Sequence, residues 1–216
     1  MILTLTAIIA YVAGSIPSAI WVGRMVKGID IREHGSGNMG ATNVARVLGL
    51  PWALLVAFLD IAKGFAPVFW LGPISSQGTA FGLAEARLVL TAAAILGHLF
   101  PLFAGFKGGK GVLTAAGAFL AMLPLDVAIA IGVWVIVFAS TRIVSVGSLS
   151  AATALVASVL IRRLVFHIPI PDSLVVASLL TGVLVFVTHR SNIRRLIAGT
   201  ESAFKRENSQ EHPPET

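Results

Sequence analysis

Long apolar runs separated by short polar segments dominate the chain. Most of them are close to the length of a helix that crosses the hydrocarbon core of a bilayer, which takes about 20 residues. The pattern therefore predicts an all-α polytopic membrane protein built as one helical bundle. The six runs span residues 2–22, 52–72, 88–104, 112–139, 146–161 and 174–188.

The fourth run decides how many helices there are and which way they point. It is too long for one span and carries Pro124 and Asp126 near its middle, where a helix is expected to break. If the chain crosses twice here, 12 Lys and Arg residues face one side and 3 the other, whereas one crossing gives 8 against 7. Because cytoplasmic loops carry the excess of Lys and Arg, we expect about seven transmembrane helices, with the N-terminus outside and the C-terminus cytoplasmic.

Composition agrees with a single membrane domain. Hydrophobic residues make up 56% of the chain and charged residues 12%, with a mean hydropathy of +0.88, which would leave a soluble fold short of polar surface. We expect residues 1–204 to form one transmembrane domain and the polar segment 205–216 to be a disordered tail. The chain has no cysteine, which excludes disulfides, thiolate metal sites and a thioester intermediate.

The net charge of +6 is concentrated in polar segments that this topology places on the cytoplasmic face. These segments also hold almost every reactive side chain, so we expect the chemistry of the protein to lie there. They are residues 24–50, 105–111, 140–147 and 189 onward.

The first polar segment contains GSGNMGATN, residues 35–43. It matches the dinucleotide pattern GxGxxG, but the charged stretch before it is not the buried strand that a nucleotide fold requires. What remains is an anion cradle, because glycines let backbone N–H groups turn toward a phosphate; a flexible turn is the alternative. The candidate ligands are Gly35, Ser36, Gly37, Asn38, Thr42, Asn43 and the cation Arg46.

The second polar segment, GFKGGKG at residues 105–111, resembles a P-loop only at first sight. The spacing to its last lysine is wrong, and Val112 stands where the magnesium-binding hydroxyl would be. Glycines and lysines directly after a span favour a basic anion cradle, and a loop that only fixes topology is the alternative. The candidate ligands are Lys107, Gly108, Gly109, Lys110 and Gly111.

The remaining candidates lie in the last two polar segments and inside the second span. Arg142 and Ser145 belong to the third segment, and His189 and Asn192 share a helical face in the fourth.

Asp60 and Lys63 are opposite charges one turn apart within the membrane, where an internal ion pair and a ligand role are both open. His167 and Asp172 have the HxxxxD spacing of another acyltransferase class, which we interpret as chance.

Three motifs together resemble the bacterial acyl-phosphate:glycerol-3-phosphate acyltransferases of the PlsY type, over essentially the whole chain. The motifs are GSGNMGATNVAR (35–46), GHLFPLFAGFKGGKGV (97–112) and HRSNIRRLIAGTE (189–201), without a departure from the family pattern. The resemblance implies important polar roles for Ser36 and Arg46, a glycerol-phosphate site at the glycines of the second motif, and a critical pair in His189 and Asn192. Glu201 matches an acidic position with a structural role.

The resemblance further implies the reaction and its setting. A fatty acyl group moves from acyl phosphate to the 1-hydroxyl of glycerol 3-phosphate, giving lysophosphatidic acid and phosphate. Because acyl phosphate is already activated, we expect no cofactor, no metal and no nucleotide, and nucleic acid is not a partner. The expected setting is the bacterial inner membrane, with the active site on the cytoplasmic face, membrane lipid around it and a functional link to the enzyme that supplies acyl phosphate.

Direct attack without an acyl-enzyme is our mechanistic hypothesis. Lys107, Lys110 and Arg142 would hold phosphate groups, while His189 and Asn192 would orient the nucleophile. The first loop would bind the donor phosphate and the developing oxyanion. A membrane carrier of an organic phosphate is the main alternative, and a scaffold in lipid synthesis is a third.

Overall fold

The computed structural model describes residues 1–77 and 80–204, and within them the regular structure is entirely helical. The disordered tail predicted for 205–216 lies outside the described residues. Short 3-10 turns at Ile31–Glu33 and Leu102–Ala104 and a π-helical segment at Pro67–Leu71 accompany the α-helices. The α-helices are α1 (Ile2–Gly14), α2 (Ser18–Lys27), α3 (Ala41–Val47), α4 (Leu50–Ala66), α5 (Gly72–Ser75), α6 (Leu83–Leu99), α7 (Val112–Leu120), α8 (Pro124–Thr141), α9 (Val144–Leu164), α10 (Asp172–Thr188) and α11 (Arg190–Ile197).

The predicted polytopic membrane bundle is confirmed. Five helical stretches in the described part of the chain are long and apolar enough to cross a bilayer, and the bent pair α10 and α11 makes a sixth if it counts as one span. The fourth apolar run divides before Pro124, as predicted, into α7 and α8. At nine residues α7 is about 14 Å long, roughly half the hydrocarbon thickness, so a count of seven depends on this short helix.

Glycines set the closest helix contacts. A Cβ on Gly64 of α4 would overlap the carbonyl of Thr114 in α7, and a Cβ on Gly117 of α7 would overlap the carbonyl of Ile61. The same relation joins α1 and α6, where Gly97 lies against the backbone at Tyr11. Such small residues let helix backbones approach closely in a membrane. These contacts fix the ends of α6 and α7, between which the second polar loop is held.

Buried charges inside the bundle are paired. Lys63 Nζ lies 2.8 Å from Asp60 Oδ1 and also donates to the carbonyl of Ile16 at 2.9 Å, so the two residues form an internal ion pair, which is one of the two roles that the sequence left open. Near the other end of the bundle, Arg162 pairs with the fully buried Asp126. These partners reduce the cost of placing charge among apolar helices.

The HxxxxD spacing does not form a catalytic pair. Asp172 makes an ion pair with Arg163, and His167 is exposed in a left-handed backbone conformation with φ of 52°. The interpretation of that spacing as chance therefore agrees with the contacts of its carboxylate.

Candidate active site

Asn43 shapes the first glycine loop from within. Its side chain is 1% exposed, its Oδ1 accepts the backbone N–H of Ser36 at 2.8 Å, and its Nδ2 donates to the carbonyls of Ile31 and His34 at 3.0 Å each. Gly35 has a φ of +59°, and a Cβ there would overlap Asn43 Oδ1. Asn43 was predicted to bind substrate; its buried amide holds the loop through these hydrogen bonds, and a contact with substrate stays a prediction.

The remaining polar groups of the first loop are directed outward. Ser36 is exposed, Asn38 and Thr42 are half-buried, and Arg46 extends from the last turn of α3. Within residues 1–77 and 80–204, the guanidinium of Arg46 has no hydrogen bond or ion pair. The loop thus offers a hydroxyl and a cation to an incoming ligand.

The second glycine loop folds back onto the end of α6. The N–H of Gly108 donates to the carbonyl of Leu99 at 3.1 Å, and the N–H of Gly109 donates to the carbonyl of His98 at 3.3 Å. A Cβ on Gly108 would overlap the His98 carbonyl oxygen, and one on Gly109 would overlap the His98 ring. Glycine is required here because two backbone segments run in contact.

A chain of polar contacts joins the second loop to the C-terminal motif. Lys110 Nζ donates to Asn192 Oδ1 at 2.5 Å, and Asn192 Nδ2 donates to Glu201 Oε1 at 2.6 Å. The same carboxylate accepts Ser145 Oγ at 2.7 Å and pairs with Arg195 Nε at 2.6 Å. Glu201 therefore connects the second loop with α9 and α11, in keeping with the structural role expected from the family pattern.

Two residues predicted to act in the site belong to this network. Ser145, predicted to bind substrate, uses its hydroxyl to hold Glu201 and is 5% exposed. Asn192, predicted to orient the nucleophile, links Lys110 with Glu201 through its oxygen and its nitrogen and is 7% exposed. Both side chains hold charged neighbours, and their contacts with substrate stay predictions.

Arg142 and Lys107 are placed differently from Lys110. Arg142 follows α8 in a left-handed conformation with φ of 58°, is exposed, and its guanidinium has no hydrogen bond or ion pair with the described residues. Lys107 is exposed at the outer part of the second loop. Among residues 1–77 and 80–204, neither side chain has a hydrogen-bond or ion-pair partner, and neither contacts the network around Glu201.

His189 lies at the junction of α10 and α11 and is 3% exposed. Its Nδ1 is 2.8 Å from the carbonyl oxygen of Val185. Since a carbonyl can only accept, Nδ1 carries the hydrogen, and a neutral ring then has its lone pair on Nε2. This tautomer leaves Nε2 able to accept a hydrogen bond from a substrate hydroxyl.

The surroundings of Lys110 shift the pKa of its side chain. Burial lowers the pKa of its ammonium to about 8, Glu201 opposes that shift, and the charges of Arg195 and Arg46 add to it. Burial alone would raise the pKa of Glu201, but hydrogen bonds from Asn192, Ser145 and Arg195 outweigh it and hold that pKa below the usual range. Burial is the largest cause of the lowered pKa of Lys110, and the charge of Arg46 is the smallest.

Three residues near the site were not predicted. Arg195 pairs with Glu201, the His98 ring lies against Gly109, and the N–H of Phe204 donates to the carbonyl of Arg142 at 2.7 Å. Arg195 and His98 both stand inside the motifs, so the motifs were the available signal. Phe204 is the last apolar residue before a polar stretch, which is the only pattern that marks it as an anchor.

The fold and the site define the class of the protein: an integral membrane bundle with a polar, cationic site where the ends of several helices meet. A family model described as glycerol-3-phosphate acyltransferase matches residues 4–199. The chain therefore belongs to the glycerol-3-phosphate acyltransferase family and is an integral membrane enzyme of the PlsY kind.

Individual relatives agree with the family model. The chain is 43% identical over 209 residues to a glycerol-3-phosphate acyltransferase of Salinibacter ruber, covering 93% of this chain and 91% of the relative. It is 44% identical over 224 residues to the enzyme of the same name from Chlorobaculum tepidum, covering 93% and 97%. A crystal structure of PlsY, described as an integral membrane glycerol 3-phosphate acyltransferase in its glycerol 3-phosphate form, superposes with a TM-score of 0.79 at 35% identity, covering 94% of this chain and 96% of that one.

Proposed function

We propose that the enzyme transfers a fatty acyl group from acyl phosphate to the 1-hydroxyl of sn-glycerol 3-phosphate, which gives lysophosphatidic acid and phosphate. The observation that carries this proposal is the partly buried cation Lys110 of the second glycine loop, which Asn192 holds beside the Glu201 network. Two substrates that each bear phosphate require such a cation. PlsY has been crystallised in glycerol 3-phosphate and lysophosphatidic acid forms, which supports the same acceptor and product here.

Direct transfer fits the groups that this chain offers. The chain has no cysteine for a thioester, and acyl phosphate already carries a good leaving group. The acceptor oxygen attacks the acyl carbon, the bond from that carbon to the phosphate oxygen breaks, and the electron pair leaves with phosphate. Lys110 and Arg46 stabilise the charge that moves to the phosphate and the carbonyl oxygen.

The hydroxyl proton has two possible acceptors in this arrangement. His189 Nε2 has its lone pair free because Nδ1 donates to Val185. A phosphate oxygen of the substrate is the other acceptor, which would make the chemistry substrate-assisted. The variant His189→Gln separates the two, because only the first route requires an imidazole base.

An apolar groove is suited to the acyl chain. A cavity of about 440 Å³ lies between the first two helices and α4, with Ile9, Leu59 and Trp70 on its walls and Lys63 at its side. Lys63 pairs with Asp60, which lies 3.9 Å from His98, and the His98 ring lies against Gly109 of the second loop. A polar path thus leads from the groove to the glycine loop.

The charge distribution supports a cytoplasmic active site in the bacterial inner membrane. Residues 1–204 act as one domain in this proposal, with the N-terminus outside and the C-terminus cytoplasmic. An enzyme elsewhere in the cell must supply acyl phosphate to this face. An organic-phosphate carrier is less well supported, because the deep charges Asp60 and Lys63 are engaged with each other and with Ile16.

Sealed membrane vesicles test both the identity of the acyl donor and the side of the membrane on which the active site lies. Inverted vesicles given acyl phosphate and radiolabelled glycerol 3-phosphate, without nucleotide or metal, are expected to form labelled lysophosphatidic acid. Right-side-out vesicles should form it only after detergent is added, because the acceptor is charged and does not cross the bilayer. Vesicles with the variant Lys110→Met serve as the control.

Three results would contradict the proposal. Product from acyl-CoA but none from acyl phosphate would refute the donor. Equal activity in intact vesicles of both orientations would refute the cytoplasmic face. An acyl group trapped on Ser36 would refute direct transfer.

A further inference from the structure

The short helix α11 runs in a different direction from the last span, α10. It follows α10 after a bend of 59° at His189, and its eight residues are about 12 Å long. A polar helix that bends away directly after a span of apolar residues lies at the membrane surface, where one of its sides faces lipid headgroups.

The two sides of α11 have different contacts. On the inner side, Asn192 is buried and holds Lys110, and Arg195 pairs with Glu201. At 100° per residue, Arg190 and Arg194 lie nearly opposite Asn192. Both are exposed, and Ile197 beside them is 83% exposed.

The outer side of α11 carries two cations that have no partner among the described residues. Within residues 1–77 and 80–204, the guanidinium groups of Arg190 and Arg194 take part in no hydrogen bond or ion pair. Arginines that flank an exposed aliphatic side chain at the end of a span match the chemistry of the interface, where the aliphatic group enters the acyl region and the guanidinium binds phosphate.

We propose that the outer side of α11, formed by Arg190, Arg194 and Ile197, binds the headgroups of anionic phospholipids. The occupant is membrane lipid, because Ile197 is exposed beside the two cations and α11 is continuous with a membrane span. The same eight residues carry Asn192 on their inner side. Lipid bound outside therefore steadies the helix that positions Lys110 inside.

A lipid-quenching experiment on the full chain tests this proposal. Because the chain has no cysteine, Ile197→Cys gives a single labelling position for a fluorophore. In nanodiscs of zwitterionic lipid, tracer amounts of spin-labelled phosphatidylglycerol are expected to quench this fluorophore more efficiently than spin-labelled phosphatidylcholine. The preference should be about fivefold for each arginine at low salt and should decrease as salt is raised.

Matched variants assign the effect to this helix. Arg190→Gln with Arg194→Gln is expected to reduce the preference to about one, while Arg24→Gln, an exposed arginine on α2, should leave it unchanged. A fluorophore at Ile8→Cys on the exposed side of α1 should show no preference between the two lipids. Equal quenching by both lipids in the parent protein would overturn the proposal, as would a preference that survives loss of both arginines.

Discussion

Replacing Lys110 by methionine is expected to lower kcat/KM for glycerol 3-phosphate by about 10²–10³-fold. Methionine keeps much of the length of the side chain but removes the cation that Asn192 and the Glu201 network hold in place. The loss should exceed that of an ordinary surface charge, because Lys110 is partly buried and fixed by Asn192. Steady-state kinetics of the purified enzyme in detergent measure it.

The neighbouring Lys107 provides the matched control. It lies in the same loop but is exposed, so Lys107→Met should cost much less activity. Equal losses in the two variants would show that only the charge of the loop matters, which would contradict the specific role of Lys110.

The pH dependence of the affinity for glycerol 3-phosphate is a second test of the role of Lys110. Because the pKa of its ammonium is lowered to about 8, the cation is present below pH 8 and is lost as the pH rises through that value. Affinity for glycerol 3-phosphate should decrease over the same range, whereas Lys110→Arg should keep its affinity at higher pH. A parent enzyme with unchanged affinity up to pH 10 would contradict this assignment.

Replacing Gly108 by alanine is expected to lower turnover by at least about 100-fold while the bundle remains folded. The added Cβ would overlap the carbonyl oxygens of His98 and Leu99, so the loop must move away from α6. That movement displaces Lys110, and a displacement of about 1 Å is enough to cost two orders of magnitude in rate. Activity and thermal unfolding measured on the same preparation separate the two effects.

Gly132 in α8 is the control position. A Cβ there meets nothing within 4 Å, and in a helix interior alanine is favoured over glycine by about 1 kcal/mol. Gly132→Ala should therefore keep full activity with unchanged or higher thermal stability. If Gly108→Ala were fully active, the contact between the second loop and α6 would have no role in the site.

The membrane spans could be predicted from the sequence because they depend on local composition. Apolar runs of the right length predicted the spanning helices, and Pro124 marked the division of the fourth run. The short length of α7 was harder to predict from the sequence. The close packing of α4 on α7 through Gly64 and Gly117 also depends on contacts between residues far apart in the sequence.

The sequence indicated residues for a candidate site but not the contacts that these residues make with one another. Glycines and cations in polar loops indicated phosphate chemistry without reference to distant partners. The hydrogen bonds of Asn43, Ser145 and Asn192 depend on which other groups the fold brings near, and polar type alone does not separate a ligand donor from a positioning residue. The resemblance to the family marked Glu201, but only the structure identifies its partners.

The Glu201 network also depends on the last part of the described chain. Its members Lys110, Ser145 and Asn192 follow one another along the sequence, but the carboxylate that joins them comes after all three. Until Glu201 has left the ribosome, Asn192 lacks its acceptor and the link from Lys110 to α9 does not exist. During synthesis, the hydrogen bonds of this network can therefore form only after the last span, α10, has been made.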